Sequence, residues 1–190
     1  MSTNTYMFKA LLFSGGILAA AFAVLVIYEV SHFLRGYLQF RGQRLVTCPE
    51  TQRPAGVRLA AAKIAGESIL GVPHLELSNC TRWPEKRGCA QECLSEIREA
   101  NASCLVGTIV NQWYAGKNCV YCQRPFTAIH WHDHPPALVD EKGKTVLWNE
   151  VSLEKLQDTM ATHVPACWSC HLAETFRREH PEMVTERPAH

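Results

Sequence analysis

Residues 10–28, ALLFSGGILAAAFAVLVIY, form a run of 19 residues without a charge. No other feature restricts the architecture of the chain as strongly. At about 1.5 Å per residue, a helix of this length spans roughly 28 Å, close to the hydrocarbon core of a bilayer. A cleaved secretory signal is the rival reading. Lys9 would be its basic flank, and Ala21-Phe22-Ala23 its small-x-small triplet. That triplet lies inside the apolar run, and Val24-Leu25-Val26-Ile27-Tyr28 continue past it, which favours a retained anchor. No second segment approaches spanning length, so the expectation is a single-pass protein of the cell membrane.

Flanking charge sets the expected orientation. Lys9 stands on the N-terminal side, while Arg35, Arg41 and Arg44 stand on the other. Basic residues are retained on the cytoplasmic face, so the C-terminal domain is expected in the cytoplasm. Phe33, Tyr37 and Phe40 interleave with Arg35 and Arg41 as an interfacial collar. Gly15, Ala19 and Ala23, with Gly16 and Ala20, repeat small residues at four-residue spacing, which lets a second helix approach closely.

The remaining chain divides into a cysteine-rich lobe (45–104) and a second lobe (105–190), after an anchor and juxtamembrane segment (1–44). No internal repeat is evident. In the first lobe, Leu45–Cys48 and Gly56–Leu59 flank a polar turn and predict a hairpin. Cys89, Cys93 and Ile97 recur at helical spacing. Leu105–Tyr114 predicts a further helix ending near Gly116. In the second lobe, 137–148 reads as two strands around a turn with Gly143. Ser152 is placed to cap a helix through Thr162, Pro165 ends that region, and a last helix runs from Cys167 to Glu179. The class is therefore α+β.

A chain of 190 residues with nine cysteines holds more thiols than packing requires, yet fewer than a small disulfide scaffold. Cys119-Val-Tyr-Cys122 and Cys167-Trp-Ser-Cys170 carry the strongest signal. In each pair a two-residue gap lets both sulfurs face one ion, and two pairs complete a tetrahedral zinc site. The pairs are 44 residues apart, against about 15–20 in a compact site, so the hairpin and the helix after Ser152 must fill the insertion. A disulfide or thiol redox pair is the plain alternative. A c-type haem is another: Cys167-Trp-Ser-Cys170-His171 has the C-x-x-C-H form, with two thioether links and an axial imidazole.

Knuckle, hairpin, then ligands on the first turn of a helix is the order of treble-clef zinc fingers, and residues 117–180 resemble that group. The resemblance implies a zinc-stabilised fold with Cys119, Cys122, Cys167 and Cys170 as ligands. The series Cys119, Cys122, Asp133-His134-Pro135, Asn149, Cys167, Cys170-His171 further resembles the HNH endonucleases, themselves treble clefs. That likeness implies His134 as base, Asp133 and His171 as ligands of a catalytic ion, and Asn149 as the group orienting His134. A net charge of +1 leaves no basic footprint for DNA, so no nucleic-acid partner is expected.

His130, His132 and His134 would share one face of an extended strand and make a three-imidazole site. Cys48, Cys80, Cys89 and Cys93 form a second, weaker candidate for zinc or an iron–sulfur cluster, with Cys104 left over. The five tryptophans are expected in the core. A four-sulfur zinc site has no open position for substrate. The expected role is therefore interaction, assembly or regulation at a membrane, through a membrane or membrane-proximal protein partner and without catalysis. Haem-based electron transfer outside the cytoplasm is the alternative, and a metal-dependent nuclease the next.

Overall fold

A computed structural model of the chain describes residues 3–85, 88–127 and 129–183. It begins with one helix, α1 (Thr3–Phe40), 38 residues long. α1 contains the apolar run and continues beyond it, since no proline interrupts 29–40. Gly42, at φ 101°, takes the left-handed conformation that ends a helix. Gly15–Phe40 has a mean hydropathy of 2.1 and is not buried within the protein, so α1 is long and apolar enough to cross a membrane. Phe22, Leu25 and Ile27 are each more than 60% exposed, a state that water disfavours over so long a stretch.

The remaining elements are β1 (Gln43–Cys48), β2 (Arg53–Leu59), α2 (Ala61–Leu70), β3 (Leu77–Cys80), α3 (Leu94–Glu99), α4 (Val106–Tyr114), β4 (Ala137–Val139), β5 (Thr145–Leu147), α5 (Leu156–Thr162), β6 (Val164–Ala166) and α6 (Trp168–Glu179). Two three-stranded sheets have the orders β1-β2-β3 and β5-β4-β6. The combination is α+β. The chain divides into two compact units, Met1–Gly42 with Arg58–Asn79, and Gln43–Val57 with Cys80–His190.

In the first unit α2 packs on the C-terminal part of α1. Gly36 allows the approach: a Cβ there would lie 3.1 Å from Ser68 Oγ and 3.3 Å from Ala65 Cα. Neither α2 nor β3 was expected from the sequence. The buried face of α2 is made of Ala61, Ile64 and Ala65, and small alanines give little hydrophobic contrast.

In the second unit the core is built on α4. Val106, Ile109, Val110, Trp113 and Tyr114 follow helical spacing and face Leu45, Leu156, Phe126, Trp131 and Trp148. Trp113 Nε1 donates to the Met160 carbonyl at 2.9 Å. Lys117 Nζ stands 3.4 Å from the Trp113 ring centroid, a cation–π contact. A second apolar cluster joins Cys119, Val139 and Ala166 to Phe126, Cys167 and Cys170. The β4–β5 hairpin forms as expected, with Leu138 opposite Val146.

Several local expectations are corrected. Pro165 lies inside β6, opposite Leu138, instead of ending an element. An edge strand tolerates proline because its outward N–H needs no partner. Ser152 makes no side-chain cap bond. A 3-10 turn at Leu153–Lys155 follows it, and α5 starts only at Leu156. Cys89 and Cys93 do not share a helix: Gln91 takes φ 58°, and α3 begins at Leu94.

Candidate metal centre

The centre begins with a turn. Asn118 and Pro125 form an antiparallel bridge, and the Cys119 N–H donates to the Arg124 carbonyl at 2.9 Å. The Gln123 N–H closes the turn on the Cys119 carbonyl at 2.9 Å, with Gln123 at φ 58°. Its side-chain amide donates to the Val120 carbonyl at 3.0 Å, which helps hold a conformation that non-glycine residues rarely adopt. The Val120 N–H donates to the Pro165 carbonyl at 2.9 Å, joining the turn to β6. β6 leads directly into Cys167, the residue just before α6, and Cys170 lies in the first turn of that helix.

The four sulfurs of Cys119, Cys122, Cys167 and Cys170 thereby lie within 4.8 Å of one another. Cys122 Sγ is 3.8 Å from Cys167 Sγ. A tetrahedral ion with metal–sulfur bonds of about 2.3 Å has sulfurs about 3.8 Å apart, so the donor set fits such an ion. Among the described residues this is the one group of metal-ligating side chains that meets the spacing. The 44-residue insertion does not separate the pairs, because β4 binds β5 on one side and β6 on the other.

The electrostatics suit a thiolate site. Burial opposes ionisation of Cys119, but the N–H groups of Cys122, Cys167 and Tyr121 outweigh it and bring the thiol down to about 7. The Cys167 N–H lies 3.3 Å from Cys119 Sγ. Burial pushes the Cys167 and Cys170 thiols up, and the neighbouring thiols reinforce the rise at Cys170. Around the centre, Tyr121 Oη and Arg178 Nη2 both donate to the Gly143 carbonyl, at 3.4 and 3.0 Å. These bonds tie the knuckle and α6 to the β4–β5 turn.

The other candidates are placed differently. The chain turns at 131–134, with the His134 N–H donating to the His130 carbonyl at 2.9 Å, so His130, His132 and His134 do not share a strand face. Pro135 and Pro136 follow at once and exclude a longer strand. The His134 and Trp168 rings are 6.3 Å apart, and those of Trp168 and His171 are 5.5 Å apart. Asp133 is exposed, and Asn149 lies in a 3-10 turn at Trp148–Glu150. No group drawn from Asp133, His134 and His171 meets the metal spacing among the described residues. His171 Nδ1 is buried without a hydrogen-bond partner, and burial lowers the imidazole pKa.

The first-lobe thiols do not form a group at the 4.8 Å spacing. Cys93 is buried, and its thiol is pushed up to about 11 by burial and then by the thiols of Cys80, Cys89 and Cys48. The Thr51 hydroxyl, then the N–H groups of Thr51 and Glu50, hold Cys48 below the ordinary thiol range against its slight burial. Cys104 stands apart: its Sγ donates to the Asn101 carbonyl at 3.4 Å, and it neighbours the fully buried Arg44.

One signal passed over in the sequence becomes plain in the structure. Cys48-Pro-Glu-Thr-Gln-Arg-Pro54 and Cys119-Val-Tyr-Cys-Gln-Arg-Pro125 share four of seven residues in register. The chain therefore does contain a short internal repeat, 71 residues apart.

Comparison with protein-family models, curated proteins and solved structures gives no match.

Proposed function

We propose that this chain is a membrane-anchored zinc protein that acts as an interaction, assembly or regulatory subunit, with Cys119, Cys122, Cys167 and Cys170 holding a structural ion. The observation that carries this reading is the convergence of the four sulfurs at tetrahedral spacing. Zinc supplies folding free energy where the core is small. A site closed by four thiolates has no open coordination position, which argues for structure over catalysis. The knuckle at 119–125, the β4–β5 hairpin and the paired cysteines at the start of α6 follow the treble-clef order, and this supports assigning the lobe to that group. The exposed apolar α1 supports a retained anchor, and Arg35 and Arg41 favour a cytoplasmic C-terminal domain. The partner is read as a membrane or membrane-proximal protein.

The haem alternative requires Cys167 and Cys170 to bond a porphyrin instead of facing Cys119 and Cys122, so the four-sulfur convergence favours zinc. Elemental analysis of the purified, detergent-solubilised chain tests this. Zinc without iron is expected, and stoichiometric iron would overturn the assignment. For the anchor, the chain should stay with membranes through alkaline extraction, while deletion of residues 10–28 should release it. Release of the intact chain by alkali would sink the membrane assignment.

A further inference from the structure

The two halves of the repeat form the same turn. In the second copy, the Gln123 N–H bonds the Cys119 carbonyl and its side-chain amide bonds the Val120 carbonyl. In the first, the Gln52 N–H bonds the Cys48 carbonyl at 2.8 Å and its side-chain amide bonds the Pro49 carbonyl at 2.8 Å. Both glutamines are left-handed, at φ 54° and φ 58°. A non-glycine residue rarely adopts this conformation, so its recurrence with the same side-chain bond marks one device used twice. The turn at 119–125 presents sulfur to the candidate metal centre, and the turn at 48–54 carries Cys48 at the equivalent position.

The first copy has Thr51 where the second has Cys122. It therefore presents one sulfur, and three more must come from elsewhere. Three further cysteines lie in the same compact unit. Cys80 ends β3, Cys89 precedes the left-handed Gln91, and Cys93 immediately precedes α3 as Cys167 immediately precedes α6. The Gln91 N–H lies 3.3 Å from Cys89 Sγ, the same kind of N–H···S contact that Cys167 makes to Cys119. The thiols of Cys80, Cys89 and Cys48 each lie close enough to Cys93 to act on it electrostatically, and all four residues belong to one compact unit.

We propose that Cys48, Cys80, Cys89 and Cys93 form a second four-thiolate centre that takes a single zinc-class divalent ion. Binding draws the four sulfurs to tetrahedral distance and releases the protons of those that are thiols. Four soft ligands select such an ion over oxygen-loving cations. Cys104 is not a ligand, since its partners are the Asn101 carbonyl and Arg44.

The labelling test uses the full chain in detergent, without substitutions, so that its outcome does not depend on the folding of a variant. Native alkylation followed by mass spectrometry should find Cys48, Cys80, Cys89 and Cys93 protected, although Cys48 is only partly buried. A zinc chelator should expose all four, while Cys104 labelling stays unchanged. Elemental analysis should count two zinc ions per chain, falling to one in Cys93→Ser and to one in Cys119→Ser. Rapid labelling of Cys48 before chelation would overturn the proposal. So would protection relieved by a reductant and not by a chelator, which indicates a disulfide, or iron with acid-labile sulfide at these residues. Loss of zinc from Cys119→Ser alone, with Cys93→Ser unchanged, would overturn this centre and leave the first one standing.

Discussion

Trp148 Nε1 donates to the Tyr114 hydroxyl at 2.9 Å, and that hydroxyl in turn donates to the Ala137 carbonyl at 2.9 Å. Tyr114 is fully buried on α4, and Ala137 opens β4, the central strand beside the metal centre. One phenol oxygen thus couples the aromatic core to the sheet that spaces the two cysteine pairs. Burial raises the Tyr114 pKa, and the Trp148 bond only partly offsets this, so the hydroxyl remains a donor across the physiological range. Tyr114→Phe keeps the ring and strands both partners, at a cost of about 1–3 kcal/mol. Denaturant unfolding at fixed zinc concentration should show that loss, and an unchanged midpoint would contradict the coupling.

Cys119→Ser is expected to abolish metal binding at its centre and to open residues 117–180 to proteolysis. Four-sulfur sites contribute folding free energy directly, and Cys119 is completely buried between Val139 and Ala166. A variant that keeps full zinc content and native protease resistance would remove the basis for a structural ion.

Metal affinity should rise steeply with pH. In the metal-free site Cys119 ionises near 7, whereas Cys167 and Cys170 remain thiols well above it. Between about pH 7 and 9, binding must therefore expel at least two protons, and the apparent affinity should increase roughly 100-fold per pH unit. Lowering the pH through 7 adds a third competing proton at Cys119 and weakens binding further. Competition with a chelator of known proton linkage measures the slope, and a slope below one proton would be inconsistent with this thiol arrangement.

Gln123 should tolerate glycine and reject valine. Glycine takes φ 58° freely but loses the amide bond to Val120, so Gln123→Gly should stay within about 1 kcal/mol of wild type. Gln123→Val is strained and unbonded, and should weaken zinc retention about tenfold or more. Chelator competition with the two variants checks the order, and equal retention would show that the turn conformation does not matter to the site.

Gly56→Ala should destabilise the second unit by about 1–3 kcal/mol. A Cβ at this position would collide with Leu153 Cδ1 and lie 2.9 Å from Leu153 Cβ and 3.1 Å from Thr81 Cγ2. Shortening Leu153 to alanine in the same chain should recover part of the loss. A double-mutant cycle measures that coupling, and strict additivity would mean that the contact is not the cause.

The order of elements in the second lobe was legible because its punctuation is strong. Gly143 between apolar triplets marks the hairpin, and Pro181 follows the end of α6. The first lobe was harder to read. Its break between Cys89 and Cys93 depends on Gln91 adopting φ 58°, which a glutamine does not announce. The His130–His134 segment alternates like a strand, yet two prolines and the His134–His130 bond fold it into a turn.

The sequence by itself determined the elements whose physics is local. An uncharged run of 19 residues makes a helix suited to lipid, and two C-x-x-C pairs each present two sulfurs across a short turn. Whether the pairs meet was decided only in three dimensions. Cys119 and Cys167 are separated by 47 intervening residues, and their convergence depends on β4 pairing with both β5 and β6 and on the Val120–Pro165 bond. That the thiols of Cys48, Cys80 and Cys89 act electrostatically on Cys93 is likewise decided by tertiary structure, because spacing along a chain says nothing about which loops come near one another.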